Sequence, residues 1–405
     1  MPSWFVSRDE CDVSVRRHSN DIASLVCHLK TPSSRPFEAQ GKRGLQYGHS
    51  PFSLSTVGCQ LFPPIALSPL RYNPRLPTIR QIGPLSTLGI WATLCFGGGL
   101  YGAWLGYGGR QFAATLTIFA FYFAVLLLFA ARGVPEFLTS CFGTGGGYLL
   151  GMAIILGYLI YAFGTNTFAF ARAGAITAFV MIPLALAASA EKRPPGAWQD
   201  YLTIAGVWVA VKFSPSHWLW PYPGGRLAYV LTVLLCVTTA LATFLLVRRL
   251  DGVGYSIGGG PRWGLYIAGS FLVFAAIAIP LGIVLHFIEY APHWASWKSL
   301  PFLTVAILCF TAWPEEFLFR GLLQNMLARS TKNDHAGWWA ASVLFGFSHI
   351  TNMGFPNWRY VLLASIAGLF YGWTWRKTGS VFASATVHAL VDGLWHFLFR
   401  TLAAR

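Results

Sequence analysis

Long apolar runs recur along the chain from Leu85 onward, separated by short segments that contain arginine, lysine, glycine or proline. A bilayer core about 30 Å thick requires runs of roughly 20 residues, because a helix there must satisfy its backbone hydrogen bonds internally. The runs are Leu85–Tyr107, Phe112–Ala131, Gly145–Phe163, Ala173–Ala190, Leu227–Val247, Trp263–Phe287, Leu300–Leu327, Trp338–Phe347, Tyr360–Trp375 and Val381–Phe399. The pattern predicts an all-α, polytopic integral membrane protein with about nine to eleven transmembrane helices.

Three regions follow from this pattern. Residues 1–80 are rich in serine, proline and arginine and have no sustained apolar period, so we expect a disordered, dispensable tail and no cleaved signal peptide. Residues 81–225 hold the first helices and end in an interfacial or re-entrant segment that contains Trp218, Trp220 and Tyr222, since these side chains favour the headgroup boundary. Residues 226–405 form a C-terminal transmembrane region whose core spans about 300–400.

Composition agrees with a membrane protein and excludes a water-soluble one. Of 405 residues, 55% are hydrophobic and 11% charged, against about 25% charged in soluble domains. The net charge of +15 would suggest nucleic acid in a soluble protein, but here basic residues cluster in the tail and at helix ends, so we expect no nucleic-acid partner. The basic pairs that we expect on the cytoplasmic side are Arg248–Arg249, Arg329–Lys332 and Arg376–Lys377.

Carboxylates that interrupt the C-terminal helices are the first candidates for chemistry, because a charge at membrane depth costs several kcal/mol unless it is paired or hydrated. In the sequence WPEEFLFR, Glu316 and Arg320 lie four residues apart on one helix face and can form an ion pair. Glu315 points about 100° away around the helix and is free to exchange protons. Pro314 precedes it at a helix start or kink.

Histidines occur in two further apolar helices. His349 ends the sequence FGFSH, and His388 lies one turn before Asp392 on the same helix face. Each could be structural when taken singly, but polar groups on three helices avoid lipid by facing a shared interior. A glutamate with a histidine can activate water for attack on a carbonyl, and a second histidine can stabilise the oxyanion.

The three motifs EExxxR, FxxxH and HxxxD, in this order, resemble those of the CAAX prenyl protease and bacteriocin-processing family of intramembrane endopeptidases. The run GLFYGWTWRKTGSVFASATVH also resembles the approach to the last motif of that family. The resemblance covers about residues 300–399 and implies an intramembrane endopeptidase that cleaves a lipidated or membrane-anchored peptide. The implied location is a multi-pass position in a cell membrane, the inner membrane if the source is bacterial.

The resemblance also implies a role for each motif residue. Glu315 and His349 would activate the attacking water, His388 and Asp392 would stabilise the oxyanion or position the water, and Glu316 would brace the site together with Arg320. Many relatives have asparagine at the position of Asp392, and an asparagine side chain can donate a hydrogen bond. Asp392 could act as a donor only if its carboxyl group is protonated.

The sequence leaves open whether the protein uses a metal cofactor and whether it is a peptidase at all. The sequence has no HExxH motif, and the resemblance favours a glutamate-type peptidase without a cofactor; if zinc is present, its expected ligands are Glu315, His349 and His388. A proton- or cation-coupled transporter that uses the same buried cluster is the main alternative to a peptidase. A non-catalytic immunity or assembly protein is a third, and the intact motifs argue against it.

Overall fold

The structure is a computed structural model that describes residues 80–213 and 216–402. The predicted tail therefore lies outside the described residues, apart from Arg80. The helices are α1 (Pro84–Trp104), α2 (Gly109–Leu128), α3 (Val134–Phe142), α4 (Gly145–Gly164), α5 (Phe170–Ser189), α6 (Trp198–Phe213), α7 (Ser216–Leu219), α8 (Gly225–Leu241), α9 (Trp263–Val284), α10 (Leu300–Ile307), α11 (Trp313–Glu316), α12 (Asn325–Thr331), α13 (Asp334–Phe347), α14 (Trp358–Thr378) and α15 (Val381–Leu398).

Shorter elements complete the fold. A 3₁₀ turn covers Trp294–Ser299, and π-helical segments cover Ala242–Val247, Leu308–Ala312 and Phe317–Gln324. The strands are β1 (Arg80–Gln81), β2 (Gly258–Gly259), β3 (Ile288–Tyr290) and β4 (Phe399–Thr401). β1 pairs antiparallel with β2, and β3 pairs antiparallel with β4, with Ile288 opposite Thr401, so that the ends of α9 and α15 are joined.

The described part of the chain has seven helices that are long and apolar enough to cross a membrane. They are Gly109–Leu128, Gly145–Gly164, Phe170–Ser189, Leu227–Val247, Trp263–Val284, Trp294–Thr331 and Val381–Leu398. The all-α, polytopic membrane class is thus confirmed, with fewer such helices than the expected nine to eleven. Helix α13 has only 14 residues, and α14 carries Arg359, Arg376 and Lys377, which lower its hydropathy.

The core is centred on the helix that combines α8 with its π-helical continuation. In the span Leu227–Val247, 89% of the most apolar stretch is buried inside the protein, against 22% in Trp263–Val284. The helix Leu227–Val247 is therefore surrounded by other helices, whereas Trp263–Val284 presents most of its side chains to the outside. Around the core, α6 packs against α8, α13 packs against α14, and α15 packs against α9, α10 and α11.

The expected interfacial segment is in part a helix of the bundle. The apolar stretch after Trp198 forms α6, whose N-terminal end is fixed by a buried ion pair between Asp200 and Arg248 at 2.9 Å. Trp218 is exposed, as expected for an interfacial residue, but Trp220 is fully buried. Its indole ring lies 4.9 Å from the ring of Tyr161, and its Nε1 donates to Thr232. Trp220 is thus packed inside the protein, because a tryptophan whose N–H finds a buried acceptor packs well in a core. That the segment lies at the membrane interface stays a prediction.

The basic pairs predicted to share one side do lie at one end of the bundle. Arg329 donates to the carbonyl of Asp251 at 2.6 Å, and Trp375 Nε1 donates to the carbonyl of Val253 at 3.1 Å. At the other end of α14, Arg359 donates to the carbonyl of His286. That the end with Arg329 faces the cytoplasm stays a prediction.

Candidate functional site

The two adjacent glutamates lie in a helical segment with irregular hydrogen bonding. Glu315 and Glu316 belong to the four-residue α11, which stands between the π-helical segments Leu308–Ala312 and Phe317–Gln324. Pro314 has no N–H, so one helical hydrogen bond is missing at this point. π-helical turns in α-helices often occur at functional sites. The helical hydrogen-bond pattern is thus irregular on both sides of the two glutamates.

Glu316 is completely buried and accepts hydrogen bonds from three side chains. Its Oε2 lies 2.9 Å from Arg320 Nε and 2.7 Å from Ser384 Oγ, and its Oε1 lies 3.0 Å from His388 Nδ1. Arg320 is also fully buried, with its guanidinium 5.1 Å from the centre of the Phe345 ring. The carboxylate therefore connects the α11 helix with α15, and its charge is compensated locally.

His388 lies between two carboxyl groups. Its Nδ1 donates to Glu316, and its Nε2 lies 3.4 Å from Oδ2 of Asp392. Tyr371 stacks on the imidazole at 4.6 Å between ring centroids, with 15° between the planes. Both nitrogens thus face carboxyl oxygens, but only the contact of Nδ1 with Glu316 is a hydrogen bond, since Asp392 Oδ2 has no hydrogen-bond partner among the described residues.

His349 has a defined tautomer. Its Nδ1 lies 2.8 Å from the carbonyl oxygen of Phe345, which can only accept, so Nδ1 carries the proton and donates. Ser348 Oγ donates to the same carbonyl at 2.7 Å. The lone pair of the neutral ring is therefore on Nε2, which is the arrangement that a base requires. The ring also contacts Tyr360 at 5.1 Å between centroids.

The helix that ends just before His349, α13, packs closely against α14. A Cβ atom at Gly346 would overlap the hydroxyl of Ser365 and the carbonyl of Val361. Glycine is thus required for this approach of α13 to α14, one turn before His349.

Glu315 and His349 line one cavity of about 60 Å³. The other lining residues are Val207, Trp208, Val211, Lys212, Tyr229, Cys236, Val237, Ala240, Pro314, Phe317, Leu318, Phe319 and Ser348. Glu315 Oε2 is buried and has no hydrogen-bond partner among the described residues. A cavity volume of about 10–15 Å³ on this measure holds one water molecule, so the cavity has room for water next to this carboxyl group.

The structure thus divides the predicted residues into two groups. Glu315 and His349 share the cavity, whereas His388 and Asp392 stand beside Glu316 and Arg320 in a buried network next to it. Phe345 joins the groups, because its ring lies 4.8 Å from His349 and 5.7 Å from His388. His396, outside both groups, contacts the carbonyl of Asp392 through its Nδ1 at 2.7 Å.

Two residues of the site were missed in the sequence. Ser384 donates to Glu316, and its position one turn before His388 on the same helix face was a usable signal. Lys212 lines the cavity from α6, but it lies 103 positions before Glu315 (315 − 212), and no local pattern connects the two residues. Only the packing of α6 brings it to the site.

The described residues do not offer a ligand set for the alternative zinc site. Among them, no group of three or more histidine, cysteine, aspartate or glutamate side chains is placed to hold a metal ion. Nδ1 of His349 and Nδ1 of His388 already have hydrogen-bond partners. We therefore derive no step of the chemistry through a metal.

Comparison with known proteins agrees with the motif analysis. Residues 296–394 match the sequence model of the family described as type II CAAX prenyl endopeptidase Rce1-like, and this segment contains all three motifs. The match confirms the resemblance inferred from the motifs and supports an intramembrane protease in a multi-pass membrane protein.

One curated relative is the uncharacterized protein YpbD of Bacillus subtilis (strain 168), which is 30% identical over 101 residues. The aligned part is 24% of this chain and 46% of the relative, so the chain spans about half the length of the protein it matches. No solved structure gives a significant match.

Proposed function

We propose that this chain, whose residues 296–394 match the Rce1-like family, is an intramembrane endopeptidase that hydrolyses a peptide bond in a lipidated or membrane-anchored peptide. One observation carries the proposal. Glu315 and His349 come from separate elements and line the same small cavity inside an apolar helix bundle. A carboxyl group and an imidazole in this position can remove a proton from water without a metal ion.

The first step of the proposed reaction is attack by water. Glu315 takes a proton from a water molecule in the cavity, and His349 orients that water through the lone pair on Nε2, whose position follows from the hydrogen bond of Nδ1 to Phe345. The water oxygen bonds to the carbonyl carbon and forms a tetrahedral oxyanion. The carbon–nitrogen bond then breaks, and the proton held by Glu315 passes to the leaving amine.

The buried network keeps these groups in place. Glu316 is neutralised by Arg320 and connects α11 to α15 through Ser384 and His388. The role that the motifs imply for His388 and Asp392 is to stabilise the oxyanion or to position the water. For the first of these roles, Nε2 of His388 would carry a proton, and the substrate oxygen would take the place of Asp392 opposite that nitrogen.

The substrate class is consistent with the surroundings of the site. Exposed apolar side chains on α9, such as Leu265, Leu272 and Val284, show that the bundle presents a lipid-compatible surface. A lipidated or membrane-anchored peptide reaches such a bundle by lateral diffusion in the bilayer. In a bacterial host we place the protein in the inner membrane, with the Arg329 end of the bundle in the cytoplasm.

The test compares membranes from cells that express the wild type, Glu315→Gln or Glu191→Gln. Glu191 is an exposed glutamate outside the helices, so its variant controls for the same chemical change away from the site. Peptide termini in membrane proteins are identified by mass spectrometry. We expect termini that appear with the wild type and with Glu191→Gln and are absent with Glu315→Gln.

Two outcomes would contradict the proposal. Identical sets of termini in all three samples would show that Glu315 does not act in proteolysis. Proton flux into proteoliposomes that depends on Glu315 in the absence of cleavage would favour the transporter alternative.

A further inference from the structure

Lys212 brings a positive charge to the cavity from outside the family-matched segment. It lies in the last turn of α6, and its side chain lines the cavity together with Glu315 and His349. Its Nζ donates to Oδ1 of Asn352, which belongs to the connection that follows His349. Within the described residues, this is the one hydrogen bond that the Lys212 side chain makes. A protonated lysine has three N–H donors, so donors remain for another acceptor.

The surroundings of Lys212 are unfavourable to an unpaired charge. The cavity wall near it is formed by apolar side chains such as Val207, Val211 and Phe319. Burial lowers the pKa of Lys212 below its ordinary value, and the negative charge of Glu315 offsets only part of this lowering. A lysine seldom occupies such a position without a role for its charge, because an apolar side chain would pack there at lower cost.

The proposed reaction can use a further hydrogen-bond donor at this place. The water held near Glu315 and His349 attacks the carbonyl carbon of the substrate, and the negative charge develops on the carbonyl oxygen. This oxygen therefore comes to lie in or beside the same cavity. The ring nitrogens of His388 both face carboxyl oxygens in the neighbouring network. An ionised Asp392 accepts hydrogen bonds and cannot donate one.

We infer that Lys212 is a further catalytic residue, which donates from Nζ to the carbonyl oxygen of the scissile peptide bond and stabilises the oxyanion. The inference rests on the proposed peptidase function. Lys212 keeps its proton throughout: water adds to the carbonyl carbon, Glu315 carries the transferred proton to the leaving amine, and the positive charge of Lys212 offsets the transient negative charge on oxygen. Electrostatic stabilisation of this kind is commonly the largest single contribution to acyl-transfer catalysis.

The test measures steady-state cleavage of a fluorescein-labelled synthetic peptide that spans a terminus found with the wild type and not with Glu315→Gln. The purified full-length protein is reconstituted in liposomes as wild type, Lys212→Met, Lys212→Gln and Lys212→Arg. We expect the Met and Gln variants to lower kcat by about 100- to 1,000-fold with little change in KM, because the donor acts in the transition state. Lys212→Arg retains the charge and should recover at least about tenfold over Lys212→Gln.

Lys212→Gln separates charge from structure. A glutamine amide has N–H donors for Asn352 and no charge, so this variant changes the charge and shortens the side chain by one bond while it keeps a donor towards the segment after His349. It carries the test if Lys212→Met does not fold, as judged by size-exclusion profile and thermal melting. The matched control is Lys192→Gln, since Lys192 is exposed and does not line the cavity.

Three results would overturn the inference. They are a kcat of Lys212→Gln within about threefold of wild type, a loss confined to KM, or a Lys212→Arg variant no better than Lys212→Gln. Glu315→Gln, assayed in parallel, distinguishes the two proposals. An active Glu315→Gln variant refutes the peptidase mechanism itself, whereas an inactive one beside a fully active Lys212→Gln refutes only the role of Lys212.

Discussion

Replacing Arg320 by methionine should destabilise the fold strongly, because it leaves the carboxylate of Glu316 buried without its cation. Both side chains have no solvent exposure, and Arg320 Nε lies 2.9 Å from Glu316 Oε2. Methionine is apolar and replaces the aliphatic stem of arginine, but it ends about where Nε lies, so the contact of the guanidinium with Phe345 is lost as well. The single variant therefore removes charge and volume together, and a double variant with the same volume change isolates the charge.

The expected magnitude follows from the contacts that remain. After the change, Glu316 keeps two donors, Ser384 Oγ and His388 Nδ1. Removing one partner of a buried ion pair costs about 3–5 kcal/mol in the free energy of unfolding. In the double variant Glu316→Gln with Arg320→Met, neither charge is left, so on the order of 2 kcal/mol should be recovered relative to the single variant.

The assay is unfolding by SDS in mixed detergent micelles, followed by tryptophan fluorescence, with the free energy extrapolated to zero SDS. Arg132→Met serves as the control, since Arg132 is exposed and should change stability by less than about 0.5 kcal/mol. The reasoning is refuted if Arg320→Met is as stable as wild type, or if the double variant is no more stable than the single one.

Three further predictions concern the reaction itself. Ser348→Ala removes a hydroxyl that donates to the same Phe345 carbonyl as His349. Because His349 keeps its own hydrogen bond, we expect cleavage to slow by less than about tenfold, and a complete loss of cleavage would contradict this. Asp392→Asn should retain cleavage within about tenfold of wild type, because an amide can still face His388 Nε2, and an inactive variant would show that the carboxylate is required. Exhaustive dialysis against a chelator should leave the cleavage rate of the purified protein unchanged, and loss of activity with recovery on adding zinc would reverse that prediction.

The contacts within a single helix were accessible from the sequence. The pairing of Glu316 with Arg320 and the approach of His388 to Asp392 both follow from four-residue spacing, and both occur in the structure. The membrane class followed from the apolar runs for the same reason, since helix length and composition are local properties.

Contacts between helices were not accessible in this way. The hydrogen bond from His388 to Glu316 joins positions 72 apart, and the entry of Lys212 into the cavity depends on the packing of α6. Trp220 shows the limit of residue preferences, because its type favours an interface and its hydrogen bond to Thr232 allows full burial. Such outcomes depend on tertiary packing, which local periodicity does not encode.

The most direct test of the central claim is cleavage in water enriched in oxygen-18. The wild-type protein and Glu315→Gln are reconstituted in liposomes with a synthetic peptide that spans a terminus produced only by the wild type, and the products are analysed by mass spectrometry. Hydrolysis by an activated water predicts one oxygen-18 atom in the new C-terminal carboxylate with the wild type and no product with Glu315→Gln. Product formed by Glu315→Gln at the wild-type rate, or a product without oxygen-18, would contradict the account.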